Sequence, residues 1–217
     1  MNKEISIFGA SGLIGGLIVK QLINDPDFKK INIITRRPLS IINKKTTSHL
    51  IDFMDIKVIS KIIKDSEIVL ASIGTTQSKV QGNKDLYKKI DHDIIVSIAM
   101  ACKENNVKNF SFVSSSGANI KSKNFYLNLK AKIEKSVNNL NLRSVSVFRP
   151  SLLIGKRNEF RFGEKIAQII MPYISFIMPD IYKPIKAEDV ASSMIKTSKK
   201  NFPGTRIYHY REIINSK

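Results

Sequence analysis

The sequence predicts an α/β fold: an open, doubly wound parallel sheet with helices on both faces. Three observations carry this. Short β-rich runs alternate with longer amphipathic ones through the first 150 residues, one run is almost wholly apolar as a strand buried on both faces would be, and the first run ends in a glycine-rich turn. Parallel neighbours need crossovers, and right-handed crossovers place helices on both faces of the sheet.

Taken in order, residues 4–8 (EISIF) read as a strand, 13–23 as a helix stopped by Asp25-Pro26, 31–35 as a strand and 49–51 as a short strand. Residues 56–63 read as a helix, and 68–73 form the apolar run. A long helix is predicted over 85–105, with Leu86, Ile90, Ile94 and Ile98 at helical spacing. Strand 110–113, helix 125–140 and strand 145–148 complete the alternation. Beyond Pro150 the pattern loosens, and four of the seven prolines fall there. The whole chain, 1–217, is expected to be one domain in which 151–217 supply a minimal C-terminal cap on the substrate side.

Composition narrows the partners. The 217 residues carry 36 basic and 18 acidic side chains, a formal charge of +18, and 42% apolar residues, enough for a proper core. The basic pairs, such as Lys29-Lys30 and Lys88-Lys89, are short and scattered without aromatic interleaving, so no specific nucleic acid is expected. The most apolar late window, 166–178, contains Gln168 and Pro172 and falls short of the roughly 20 residues of a membrane span. The lone Cys102 excludes an internal disulfide, the three histidines lack metal-ligand spacing, and Asp91-His92-Asp93 reads as a solvated helix face. No metal is expected. With no secretory signal ahead of the first strand, the cytoplasm is the expected compartment; monomer and dimer both remain open.

The turn is Gly9-Ala10-Ser11-Gly12-Leu13-Ile14-Gly15, a G-x-x-G-x-x-G between strand and helix. A sharp turn at Gly9, close approach of a pyrophosphate at Gly12 and tight helix packing at Gly15 all exclude side chains, and the helix N-terminus offers free amides to the anion. A dinucleotide is therefore expected. The next strand ends in Thr35-Arg36-Arg37-Pro38, where an NAD site would carry an acidic residue; two guanidinium groups favour the 2′-phosphate of NADP(H). Asp52 and Phe53 are expected beside the adenine, with Gly74, Thr75 and Thr76 along the channel toward the nicotinamide.

Tyr126 and Lys130 stand four residues apart on one flank of the 125–140 helix, following a strand that ends in Ser114-Ser115-Ser116. A phenol with a reference pKa of about 10 exchanges its proton near neutrality when an ammonium stabilises the phenolate. Tyr126 is the expected proton donor to a carbonyl oxygen, Lys130 the supporting cation and ribose ligand, and Ser115 a second bond to that oxygen. A second Tyr-x-x-x-Lys, Tyr182 to Lys186, contains Pro184, which breaks a helical turn.

With these residues in place, the chain resembles the atypical or extended branch of the short-chain dehydrogenase/reductase superfamily, and more narrowly the HIV Tat-interacting-protein-like oxidoreductases. The matching stretches are GASGLIGG (9–16), TRRP (35–38), IGTTQSKVQGNKDLYKKIDHD (73–93), VSSSGANIKSKNFYLNLKAKIE (113–134), RPSLLIGKRNEFRFGE (149–164) and PIKAEDVA (184–191). The resemblance implies a Rossmann fold and NADPH contacts at Ser11, Gly12, Leu13, Ile14, Arg36, Arg37, Ile73, Tyr126, Lys130, Leu153 and Arg161; Pro150, in the RPSLLIG stretch, is counted with them. It also implies Tyr126 as proton acceptor in the oxidative direction. Asp91 stands where many superfamily members place an Asn, and receives no role on that basis. The expected function is NADPH-dependent reduction of a small carbonyl compound, with an NADP(H)-binding sensor or assembly protein as the alternative. Residues 157–161 and 166–177 are expected to shape the substrate pocket.

Overall fold

The computed structural model describes residues 3–75, 80–155, 179–200 and 202–217. Seven parallel strands form one sheet in the order β3-β2-β1-β4-β5-β6-β9. The strands are β1 (Lys3–Phe8), β2 (Phe28–Thr35), β3 (Thr46–Leu50), β4 (Ile68–Ala71), β5 (Asn109–Val113), β6 (Ser144–Phe148) and β9 (Gly204–Tyr208). The connecting helices are α1 (Leu13–Ile23), α2 (Ile56–Ile63), α3 (Lys84–Lys88), α4 (Ile94–Glu104), α5 (Phe125–Asn138), α6 (Ala187–Ser198) and α7 (Tyr210–Ser216). Strands β7 (Leu153–Ile154) and β8 (Ile185–Lys186) make a separate two-stranded parallel pair.

The apolar β4 run explains the two-sided burial. Ile68 and Leu70 enter one core with Ile5, Ile7, Ile31 and Ile33 under α1, α6 and α7, whereas Val69 and Ala71 enter the other with Phe110, Phe112 and Val145 under α2, α4 and α5. Each fully buried isoleucine contributes about 1.5–3 kcal/mol. Local signals set the helix starts: Asp55 accepts from Val58 N at 3.1 Å to cap α2, and Asn124 accepts from Leu127 N at 3.2 Å to cap α5.

Besides earlier starts for β2 and β3 and earlier ends for β4 and α5, the course of the chain departs from the sequence reading in two places. The helix predicted over 85–105 is α3 and α4 joined by a π-helical turn, Lys89–Asp93, which shifts the helical phase. The chain also returns to the sheet after residue 186: α6 packs on α1, and β9 pairs with β6 as the seventh strand. β9 escaped the sequence reading because it lies at the sheet edge, where four of its five residues, Gly204, Thr205, Arg206 and Ile207, are exposed and the apolar alternation is faint.

Candidate functional site

The sheet order reverses between β1 and β4, and the glycine turn lies at the carboxyl end of that crevice, where open α/β sheets bind ligands. Gly9 has φ +89°, and a Cβ there would lie 2.6 Å from the Ser72 carbonyl oxygen. At Gly15 a Cβ would lie 2.2 Å from the Gly9 carbonyl oxygen, so only glycine lets α1 sit this close to the turn. Gly12 forms the N-cap of α1 with no capping side chain, and the turn is closed by Gly12 N donating to Gly9 O at 2.9 Å. Ser11 is exposed, Leu13 half-buried and Ile14 buried, so the first-turn backbone of α1 presents its amides at the crevice.

Beyond β2, Thr35 Oγ donates to the Arg37 carbonyl at 2.8 Å and fixes the turn from which Arg36 and Arg37 project, both exposed. The Arg36 guanidinium lies 5.6 Å from the centre of the Phe53 ring. Phe53 is itself buried edge-on against Phe8, while Asp52 is exposed and accepts from Met54 N at 3.0 Å. Past β4, Ile73 is buried in the α4/α5 core, and Gly74 and Thr75 lead out of it.

Tyr126 and Lys130 do share a flank of α5. The Lys130 ammonium is 5.6 Å from the Tyr126 ring centre, and Tyr126 stands edge-on to Tyr87. The sequence reading of Asp91 as part of a solvated face is overturned. Asp91, within the π turn, is buried, and its Oδ2 pairs with Lys130 Nζ at 2.8 Å, with 1% of the Asp91 side chain and 5% of the Lys130 side chain exposed. The other oxygen, Oδ1, accepts from Thr75 N at 2.7 Å, and Tyr87 OH donates to the Thr75 carbonyl at 3.1 Å. Burial pushes the Lys130 pKa down, but the charges of Asp91 and then Tyr126 outweigh it and hold it above the ordinary lysine value. His92, next along, bonds Asp93 at 2.8 Å and Ser136 at 3.1 Å.

Ser115 donates to the Ser116 carbonyl at 3.2 Å. Its neighbour Ser114 donates to Glu134 Oε1 at 2.5 Å, and Arg149 holds the same carboxylate through Nε at 2.9 Å and Nη2 at 2.5 Å. Glu134 and Arg149 were missed by sequence reasoning, although Tyr126, Lys130 and Glu134 fall at successive fourth positions of α5, a signal that could have found Glu134. Toward the chain beyond β6, Ser116 N donates to the Pro150 carbonyl at 2.9 Å and Ser116 Oγ to the Ile181 carbonyl at 2.5 Å. Leu153 packs against the same core as Leu13, and Gly155 lies against the Leu13 side chain. Arg161, Thr76 and the 157–161 and 166–177 stretches lie outside the described residues.

The turn, the crevice and the α5 pair thus lie within one nucleotide-binding architecture, and residues 9–166, from the first glycine of that turn onward, match the family described as NAD(P)H-binding. The chain belongs to this NAD(P)H-binding family. Within it, the chain is 35% identical over 204 residues to Protein FMP52, mitochondrial, of Candida albicans, covering 91% of this chain and 89% of that one. It is 30% identical over 170 residues to Protein HTATIP2 of Rattus norvegicus, covering 77% and 69%. These two relatives bear out the resemblance to Tat-interacting-protein-like, atypical short-chain dehydrogenases. Among solved structures, the UDP-N-acetylglucosamine 4-epimerase from Methanobrevibacter ruminantium superposes with a TM-score of 0.73 at 22% identity, covering 96% of this chain and 76% of that one. The Bordetella bronchiseptica enzyme WbmH does so with 0.74 at 16%, covering 97% and 76%. Both share the fold of this NAD(P)H-binding chain. The expectation of a cytoplasmic location is overturned: fungal relatives from Candida albicans, Scheffersomyces stipitis and Emericella nidulans are all named as mitochondrial proteins. Among the described residues no helix is long and apolar enough to cross a membrane.

Proposed function

We propose that this chain is an NADP(H)-dependent oxidoreductase that reduces the carbonyl group of a small molecule. The observation that carries the reading is the buried Lys130 ammonium beside the Tyr126 ring, on a helix packed next to the crevice that the glycine turn opens. The residues present fit the dinucleotide. Gly9, Ser11, Gly12, Leu13, Ile14 and Gly15 would hold the pyrophosphate on the first-turn amides of α1, where a Cβ at Gly12 would lie only 3.2 Å from the Gly9 carbonyl oxygen. Arg36 and Arg37 would hold the 2′-phosphate, with Asp52 and Phe53 at the adenine end. Ile73, Gly74, Thr75, Pro150 and Leu153 would line the remainder.

The bound cofactor supplies a hydride to the carbonyl carbon. Tyr126 holds the proton that the carbonyl oxygen takes, which leaves an alcohol and a phenolate that recovers its proton from solvent. Lys130 stabilises that phenolate and has ammonium donors to spare for the ribose. Ser115 bonds the substrate oxygen. Glu134, held by Arg149, fixes the strand end and the helix that carry Ser115 and Tyr126. The names of the fungal relatives make the mitochondrion the compartment in which to seek the substrate.

The test is NADPH oxidation across a panel of aldehydes and ketones. Tyr126→Phe is expected to lower turnover at least about 100-fold, the scale of general acid catalysis, while NADPH affinity stays within about threefold. Unchanged turnover in that variant would refute the mechanism. Tight NADPH binding with no turnover on any carbonyl, together with a partner protein whose affinity follows the cofactor's oxidation state, would replace the reductase with an NADP(H) sensor.

A further inference from the structure

We propose that Asp91 is the positioning residue of this site: one of its oxygens holds the Lys130 ammonium and the other holds the backbone at Thr75, so a single carboxylate sets the lysine and the wall of the crevice together. The inference rests on the reductase reading for its use, and on geometry alone for its existence.

The geometry has three parts. The first is the bridge itself, with Oδ2 2.8 Å from Lys130 Nζ and Oδ1 2.7 Å from Thr75 N. The second is enclosure. With 1% and 5% of the two side chains exposed, neither charge has water to fall back on, so each requires the other. The third is the π turn over Lys89–Asp93, a rare backbone form that recurs at functional sites. Tyr87 and Asp91 are buried in line with Ile94 and Ile98, so a polar pair and an apolar stripe are enclosed together.

An asparagine at this position carries no charge and has a single acceptor oxygen, so it could accept from only one of these two donors, with its amide NH2 facing the other. The ammonium would then face only Tyr126 and Glu134 from its own helix, and Glu134 is already engaged by Arg149. Burial would dominate, and the lysine would lose its proton more readily. The carboxylate has a geometric consequence as well. A lysine stem has four rotatable carbons and an ammonium has three donors; fixing one donor on Asp91 orders the stem before any ribose arrives and leaves two donors for it. Preorganisation of this kind shows in cofactor affinity before it shows in chemistry.

The experiment is competitive acylation of the full-length protein with limiting acetic anhydride across a pH series, read lysine by lysine by mass spectrometry. NADPH binding is measured in parallel by fluorescence. In the native chain Lys130 is expected to react with a pH midpoint above that of exposed Lys29. In Asp91→Asn the midpoint is expected to fall by about one unit or more, a tenfold change in the fraction deprotonated, and NADPH affinity to fall about tenfold or more. Asp91→Glu, which keeps the charge, is expected to restore the midpoint. Burial alone would lower the midpoint, and a pair that only holds the fold together would leave NADPH affinity unchanged in Asp91→Asn, so a purely structural lysine is told apart. A native midpoint no higher than that of Lys29, or an Asp91→Asn midpoint equal to the native one, overturns the proposal. If Asp91→Asn does not fold, the native titration still decides, and Asp91→Asn/Lys130→Met is expected to fold because it leaves no charge unpaired. Since none of these readouts needs turnover, a dead carbonyl panel beside a raised Lys130 midpoint would sink the reductase and leave Asp91 in its role. An active panel beside an ordinary midpoint would do the reverse.

Discussion

Replacing Gly15 with alanine tests the packing of α1 on the turn without removing any polar group. The added methyl would lie 2.2 Å from the Gly9 carbonyl oxygen, 2.6 Å from its carbon and 2.7 Å from Ser72 Oγ, whereas ordinary contact begins at 3.4 Å. Two of those three atoms are backbone and cannot swing aside. Helix and turn would have to separate by about 1.2 Å, which puts the cost at or above the upper end of overpacking, about 3 kcal/mol. In a chain of this length that corresponds to a melting temperature lower by about 6–12 °C. The same movement displaces the first-turn amides of α1 from an anion that they must meet at hydrogen-bond distance, so NADPH affinity is expected to fall by about 100-fold. Thermal unfolding followed by circular dichroism and NADPH fluorescence titration measure the two effects. Gly16→Ala is the control: its methyl would approach only the Ala10 carbonyl, at 3.3 Å, and the alanine gains about 1 kcal/mol of helix propensity. A Gly15→Ala protein that melts with the native one and binds NADPH within about twofold would refute the reasoning.

Other outcomes follow from the same structure. Removing both guanidinium groups by Arg36→Ala/Arg37→Ala is expected to weaken NADPH binding at least about 10- to 100-fold while NADH binding hardly changes, because even one lost charge-assisted bond to a phosphate is worth about 1.5–3 kcal/mol; equal loss for both cofactors by calorimetry would exclude a 2′-phosphate role. Glu134→Gln leaves Arg149 without its anion and weakens the Ser114 bond, and is expected to cost about 2 kcal/mol, between the exposed and buried limits for ion pairs, as read by urea unfolding. Lys199 bridges Asp25 and Asp27 at 2.7 Å each. Its hydrogen bond holds the Asp27 pKa below 3.8, so that contribution is present above the ordinary carboxylate value and is lost as pH falls through the lowered one. Burial pushes the Lys199 pKa down, but its bonds to Asp25 and then Asp27 raise it above 10.5 overall, so its own contribution persists until pH rises through that raised value. Melting temperatures of native protein and Lys199→Met should therefore differ near neutral pH and converge in acid; parallel curves throughout would refute the linkage.

Local signals were legible wherever the sequence carried its own punctuation. The bounds of α1 and α2 coincide with the sequence reading because Gly12 and Asp55 start them and an apolar stripe runs their length. The apolar run that became β4 could be read because burial on both faces removes alternation. Asp91 was only half legible. Its spacing of three, four and seven from the buried Ile94, Ile95 and Ile98 is that of the buried stripe, but its partners, Lys130 and Thr75, are distant in sequence. Two flanking polar residues then made Asp91 look solvated, although burial follows from the phase of the helix and not from its neighbours. The Arg149–Glu134–Ser114 junction escaped for a related reason: it joins the ends of two strands and a helix, and such proximity is created only when the sheet forms.

The connection from β6 to β9 has an evolutionary consequence. The two strands are neighbours in the sheet, so β7, β8 and α6 all belong to one crossover between adjacent parallel strands. Closing such a crossover costs only about 0.6 kcal/mol more for each doubling of its length. An insertion between β7 and β8 can therefore lengthen this crossover while β1, α1 and β4, which frame the glycine turn, keep their register. Variation in a chain built this way requires a new stretch of loop, not a new fold.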